Sequence, residues 1–368
     1  MVLPGPEAQQ LATYIGWLMH KTRGGVAAGV LFVLPSLFML IGLSWLYIAF
    51  GHVTWVAGLF YGIKPAVTAI VVQAAHRIGS RTLKNNVLMA IAAASFVAIF
   101  ALNVPFPIIV LFAALVGLIG GRMSPTSFSA SGGHAGVQSS FGPALIDDDT
   151  PTPPHALFTW HRLMKVLWIG AALWALPMAF LAMQHGWDHT LTQMSWFFTK
   201  SALLTFGGAY AVLPYVYQGA VEQFGWVTAT QMMDGLALGE TTPGPLIMVV
   251  AFVAFIGGYV KALLGPESLL AAGVLAACLV TWFTFLPSFI FILAGGPLVE
   301  STHRNLKFTA PLTAITAAVV GVVLNLALFF GYHLLWPEGF AGAFDVRSAL
   351  IAIAAAVALF KYKRGVME

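Results

Sequence analysis

Apolar residues run along this chain in long, nearly uncharged stretches rather than in the short alternations of a soluble fold. Ten stretches approach the length needed to cross a bilayer core: 26–50, 54–75, 87–102, 105–121, 163–183, 196–216, 234–260, 268–294, 308–336 and 347–360. A shorter apolar piece, Pro6 to Met19, precedes them. Asn103-Val104-Pro105 interrupts a long uncharged run, which predicts a tight hairpin rather than one continuous helix. The pattern predicts an all-α, polytopic transmembrane bundle of about 10–11 spans, because only helices satisfy their own backbone inside lipid this way.

Composition strengthens this. Hydrophobic residues make up 59% of the 368 positions and charged residues only 8%, against about 25% charged in a soluble domain. Mean hydropathy is +0.88. The net charge of +4 belongs to loops facing a cytoplasm, since no basic patch interleaves with aromatics in the manner of a nucleic-acid binder. The one cysteine, Cys278, excludes a disulfide within the chain and, lying in an apolar run, reads as a small core residue. MVLPGPEAQQ has neither the basic start nor the apolar stretch of a signal peptide.

Charge also orients the spans. Placing Lys21, Arg23, Arg77, Arg81, Lys84, Arg122, Arg162, Lys165, Arg304, Lys307, Lys361, Lys363 and Arg364 in the cytoplasm accounts for thirteen of the 17 basic residues. Only Lys261 and Arg347 then fall outside, while Lys64 and Lys200 lie within spans. That imbalance predicts a multi-pass membrane protein with its C-terminus in the cytoplasm. Residues 122–160 form the one long loop, rich in Ser, Gly and Pro. There Asp147-Asp148-Asp149 reads as a solvated charge run rather than a cation site. The loop divides the chain into an N-terminal repeat (1–121), a cytoplasmic linker (122–160) and a C-terminal repeat (161–368).

The word repeat rests on three matches in the same order. Leu3-Pro4-Gly5-Pro6 recurs as Thr242-Pro243-Gly244-Pro245. Leu34-Pro35-Ser36, with its flanking phenylalanines, recurs as Leu286-Pro287-Ser288. Lys64-Pro65-Ala66-Val67-Thr68-Ala69-Ile70 recurs as Ala310-Pro311-Leu312-Thr313-Ala314-Ile315. Under the charge-derived orientation, corresponding spans cross the membrane in opposite directions. Inverted repeats with broken helices are the pattern of secondary transporters, whose substrate site lies where the repeats meet. By the same symmetry Pro4-Gly5-Pro6 should lie deep in the membrane, so the chain is expected to begin at mid-bilayer. Met1 then reads as a truncation or a misplaced start, and a partner of Phe206-Gly207-Gly208 as missing.

Candidate chemistry follows from the breaks and the charges within spans. Pro243 and Pro245 remove backbone donors and Gly244 supplies free dihedrals, so the 234–260 helix should break there. A helix restarting after Pro245 would turn N–H groups toward an anion, with Thr241 and Thr242 capping that end or donating hydroxyls. A kink that merely improves packing is the alternative. Pro4, Gly5 and Pro6 form the mirror element, followed by Glu7, with Gln9 and Gln10 adding amide donors. Glu240 is costly in lipid unless paired or protonated, which suits a proton carrier or a partner to a lysine. Lys64 is either a substrate counter-charge or an ion-pair partner for Glu7 or Glu240. Lys200 is shallow enough to snorkel. Thr205, Phe206, Gly207 and Gly208 form either close helix packing or a second break, in which case Tyr210 offers a hydroxyl. No metal-ligand spacing or catalytic motif occurs, so neither an enzyme nor a cofactor is expected.

These segments resemble the chromate ion transporter (CHR) family of bacterial membrane proteins. The resemblance rests on LPGPEAQQLATYIGW, FVLPSLF and GIKPAVTAIVVQAAHRIG, then on LLTFGGAYAVLPY, DGLALGETTPGPLIMV and FLPSFIFI. Long members of that family have two homologous halves and are associated with export of chromate from the cytoplasm. At its N-terminus this chain lacks the family's first helix and first FGG-type motif. The resemblance implies a carrier for chromate in the bacterial cytoplasmic membrane; sulfate shares chromate's charge and shape, and dipole-lined half helices also fit an anion channel. The expected surroundings are a lipid bilayer and no nucleic acid, and a homodimer is a compatible assembly.

Overall fold

A computed structural model describes residues 4–128, 153–206, 208–301 and 309–363. Among these residues every regular element is helical. In chain order they are α1 (Glu7–Phe50), α2 (Thr54–Thr82), α3 (Asn86–Leu102), α4 (Phe106–Met123), α5 (Pro125–Phe128), α6 (Trp160–His185), α7 (Thr190–Leu203), α8 (Ala209–Tyr217), α9 (Ala229–Thr241), α10 (Val249–Val260), α11 (Leu269–Ser301), α12 (Thr309–Leu335) and α13 (Val346–Phe360). Six described helices are long and apolar enough to cross a membrane, and shorter apolar helices at Asn86–Leu102, Leu246–Val260 and Val346–Phe360 accompany them. The all-α polytopic bundle expected from the pattern is what forms.

Where the count of spans differs, backbone breaks are the reason. The apolar piece before residue 20 is an arm of α1, and it turns back on the next arm at His20 and Lys21, whose dihedrals are not helical. The two arms pack closely: a Cβ added at Gly16 would meet Gly24 and Ala28, and one at Gly25 would meet Thr13 and Trp17. The expected span 196–216 is interrupted between α7 and α8, and 234–260 between α9 and α10. The hairpin at Asn103-Val104-Pro105 is present, with Asn103 left-handed (φ 50°) as the C-cap of α3 and Pro105 opening α4.

The directions of the helices can be followed through their contacts. Gly5 packs on Ser288 and Trp17 on Gly296, so the first arm of α1 runs parallel to α11. The second arm turns back and sets Gly29 against Phe289. Leu34-Pro35-Ser36 and Leu286-Pro287-Ser288 thus lie on helices of opposite direction.

The core centres on α7–α12. Phe197, Phe198, Phe252, Phe255, Phe283 and Phe330 are fully buried there, and α10 is buried along almost its whole length. Hydroxyls in this apolar setting bond the preceding turn: Ser195, Thr199, Ser201 and Thr205 each donate to the carbonyl four residues back. The outer helices α3, α4, α6 and α13 expose leucines, phenylalanines and tryptophans, as a lipid-facing surface does. Cys278 belongs to that surface. It is exposed on α11, not buried as a core residue, because its helix turns this position outward. The Asp147-Asp148-Asp149 run, Arg304, Lys307 and Arg364 lie outside the described residues.

Candidate functional site

Three chain breaks meet inside the bundle, each built on a glycine in a conformation other residues rarely take. Gly5 (φ +130°) stands before Pro6 and the start of α1. Gly244 (φ +137°) stands before Pro245 and the short turn into α10. Gly208 (φ +102°) opens α8. The near-identity of Gly5 and Gly244 is what the repeated Pro-Gly-Pro predicts. The breaks are tied together: the Gly5 amide donates to the Thr205 carbonyl at 2.8 Å. Phe206-Gly207-Gly208 is therefore a break and not continuous close-packed helix, although Gly207 itself lies outside the described residues.

The breaks are also crossed between halves. A Cβ on Gly244 would sit 2.7 Å from the Cβ of Ser36, and a Cβ on Gly5 would overlap the Ser288 hydroxyl. Ser36 and Ser288 are the corresponding serines of the two Leu-Pro-Ser frames. Each Pro-Gly-Pro thus leans on the Leu-Pro-Ser helix of the other half, and both contacts require the absence of a side chain.

A cavity of about 450 Å³ opens where these helix starts converge. Pro6 and Glu7 of α1, Gly208 and Tyr210 of α8, and Pro245 to Ile247 before α10 line one part of it. Arg77, Arg81 and Thr82 of α2, with Thr316 of α12, line the rest. None of the three helix starts carries a side-chain cap. Uncapped first-turn N–H groups and the positive ends of three helix dipoles favour negative charge. Arg77 and Arg81 lie one turn apart at the end of α2. Like charges at that spacing cost an isolated helix about 0.2–0.5 kcal/mol, a penalty that an anion between them removes. Guanidinium groups also present paired donors that match the oxygens of an oxyanion.

Behind this wall the Tyr210 hydroxyl donates to Glu240 at the end of α9. Arg77 and Tyr210 border the same cavity. Glu7 occupies the first turn of α1, where the helix dipole favours its carboxylate.

Several expected site residues have other partners. Thr241 donates to the carbonyls of Ala237 and Leu238, and Thr242 to Leu238. They terminate α9 rather than capping the helix that restarts, because a threonine hydroxyl reaches the preceding turn of its own helix more easily than the chain beyond two prolines. Gln10 donates its amide to the Pro4 carbonyl at 2.7 Å and so holds the first break in shape. Thr205 accepts from Gly5 through its carbonyl, and Phe206 packs on the core. Pro4, Pro243 and Gly244 shape the breaks without lining the cavity. Lys200 lies over the Trp196 ring, 5.8 Å from its centroid, and does not line the cavity either.

Lys64 pairs with neither Glu7 nor Glu240. Its ammonium lies 3.3 Å from Asp234 Oδ1, and Asp234 Oδ2 accepts from the Tyr47 hydroxyl at 3.0 Å. This group borders a separate cavity. Sequence reasoning used Arg77 and Arg81 only as topological charges and gave Asp234 no role. The spacing of the two arginines on one helix face was the available signal for the first. The Lys64–Asp234 contact joins positions 170 residues apart and leaves none. Among the described residues no group of three or more His, Cys, Asp or Glu is arranged to hold a metal.

The chain is 27% identical over 361 residues to the chromate transport protein of Cupriavidus metallidurans, covering 98% of this chain and 76% of that protein. It is 32% identical over 334 residues to the chromate transport protein of Pseudomonas aeruginosa, covering 88% and 67% respectively. An uncharacterized transporter of Methanocaldococcus jannaschii is 23% identical over 365 residues, covering 98% and 78%. No solved structure matches the chain. The chromate transporter family profile matches residues 1–118 and 192–367, and with these relatives it establishes that the chain is a multi-pass membrane protein of the chromate transporter family.

Proposed function

We propose that this protein carries a tetrahedral oxyanion, chromate or the similarly shaped and charged sulfate, outward across the bacterial cytoplasmic membrane. The observation that carries the proposal is the convergence of three uncapped helix starts with Arg77 and Arg81 on one cavity. The anion enters from the cytoplasm, since both arginines lie at the end of α2 where Lys84 follows. First-turn amides after Pro6 and Pro245 hold its oxygens while Arg77 and Arg81 balance its charge. Glu240, bonded to Tyr210 at the cavity wall, is the group that couples anion movement to protons. A secondary carrier is favoured over a channel because the buried apolar residues of α10 and the middle of α2 separate the two cavities instead of opening a continuous path.

Everted membrane vesicles test this through uptake of labelled chromate with an imposed proton gradient, with and without excess sulfate. Arg77→Gln removes a charge-assisted contact of about 1.5–3 kcal/mol, so uptake should fall about 10–100-fold at unchanged membrane levels. Wild-type uptake in Arg77→Gln and Arg81→Gln alike would remove the cavity from the transport path. Currents that ignore the proton gradient and do not saturate would replace the carrier by a channel.

A further inference from the structure

We infer that the protein has a second anion subsite, toward the opposite face of the membrane, where Lys64 receives the anion and the Asp234 carboxylate holds that place in its absence. The inference rests on the transport function proposed above. It starts from a second cavity, also of about 450 Å³, bordered by Tyr47, His52, Lys64, Gln231, Asp234 and Tyr259.

Two helices measure the distance between the cavities. On α2, Lys64 borders one and Arg77 the other. From Ile247 to Tyr259, along α10 and the turn before it, the interval is similar. Thirteen residues of helix, or twelve, span about 18–20 Å, some two-thirds of a bilayer core of about 30 Å. Val67, Val71, Leu236 and Phe252 fill the interval and are buried. The cavities are therefore separate compartments stacked across the membrane. Gly51 and His52, in the turn joining α1 to α2, place the second one at the outer face.

The pair bordering this cavity is loosely made. Charge-assisted N–H···O⁻ bonds measure about 2.7–2.9 Å, whereas Lys64 and Asp234 are 3.3 Å apart and Oδ1 has no hydrogen-bond partner of good geometry. Asp234 is 2% exposed and the Lys64 side chain 20% exposed, so the carboxylate is enclosed while the lysine has a path into the cavity. A buried ion pair of this kind stabilises a fold poorly, because desolvation offsets its Coulomb attraction. It does suit exchange. Lys64 offers a compact charge with three donors, and an oxyanion presents oxygens like those of the carboxylate it displaces. When the anion leaves, Asp234 returns to Lys64, which keeps affinity low on the side of release.

The test uses the full chain in proteoliposomes, with sulfate binding by calorimetry and chromate or sulfate counterflow measured together. Asp234→Asn leaves Lys64 without its internal counter-ion. It should bind sulfate at least tenfold more tightly than wild type and slow counterflow by a similar factor. Because that variant strands a buried charge, Lys64→Gln/Asp234→Asn is measured alongside. The double variant should keep wild-type thermal stability and lose most counterflow. Wild-type counterflow in the double variant, or unchanged sulfate affinity in Asp234→Asn, overturns the second subsite. If wild type counterflows and Arg77→Gln does not, that failure leaves the transport function standing. A wild-type protein with no counterflow of either anion overturns both.

Discussion

Gly244 carries two constraints at once, a φ of +137° and the side of Ser36 against its α-carbon. Gly244→Ala therefore strains the backbone and collides with Ser36. It should cost about 1–3 kcal/mol of stability, seen as an earlier thermal transition in detergent, whereas Gly58→Ala, in open space, should not. Asp345 offers a residue-level test by pH. It accepts from Tyr61 of α2 and from Ser348 of its own helix. The Tyr61 bond first, and those to Ser348 next, hold its carboxyl below the ordinary 3.8. A depressed carboxylate stabilises the fold at pH values above its unfolded pKa and loses that effect as pH falls through the folded one. Acidification below about pH 3.8 should thus loosen α13 from α2, read by limited proteolysis after residue 335, and Asp345→Asn should show the loosening already at neutral pH. The glycines of these breaks were legible because a Pro-Gly-Pro within an apolar run has few structural uses. Arg77 and Asp234 were not, since their significance depends on what α8, α10 and α2 bring to them from far along the chain.

At the scale of elements, the turn between the arms of α1 is the most exacting. Lys21 takes φ 57° and ψ −159°, a region essentially reserved for glycine. Lys21→Gly should raise stability by about 1 kcal/mol, measurable as a later thermal transition, provided the lost basic charge leaves topology intact. The second half has a counterpart turn after α10, where Ala262 is left-handed at φ 49°. Half-helix, sharp turn and long helix therefore follow each Pro-Gly-Pro. Hydropathy located both long helices but could not distinguish a half-helix that reverses from the start of a span. Apolar length is the same in either case, and only the two consecutive residues with non-helical dihedrals separate them.

For the whole molecule, the two stacked cavities make orientation directly measurable. Cys278 is the only cysteine and is exposed on α11, so Cys278→Ala gives a background for single-cysteine labelling. Under the proposed orientation, with the C-terminus in the cytoplasm, His52→Cys should react with a membrane-impermeant maleimide in intact cells. Thr82→Cys should react only in everted vesicles. The opposite pattern would reverse the assigned direction of transport. The charges that suggest this orientation lie at helix ends and are read from local composition alone. The division into cavities was not legible, because it arises from packing between helices of different halves.

The crossed contacts, Gly5 with Ser288 and Gly244 with Ser36, bear on how such a chain can change over generations. A duplicated segment whose turn is completed by its twin cannot drift alone. A side chain gained at 244 must be answered by a smaller residue at 36, and one gained at 5 by a smaller residue at 288, so the two copies are expected to change in diagonal pairs. Exchanging one half for that of a distant cousin makes both diagonals hybrid at once, whereas exchanging both together keeps each pair from one parent.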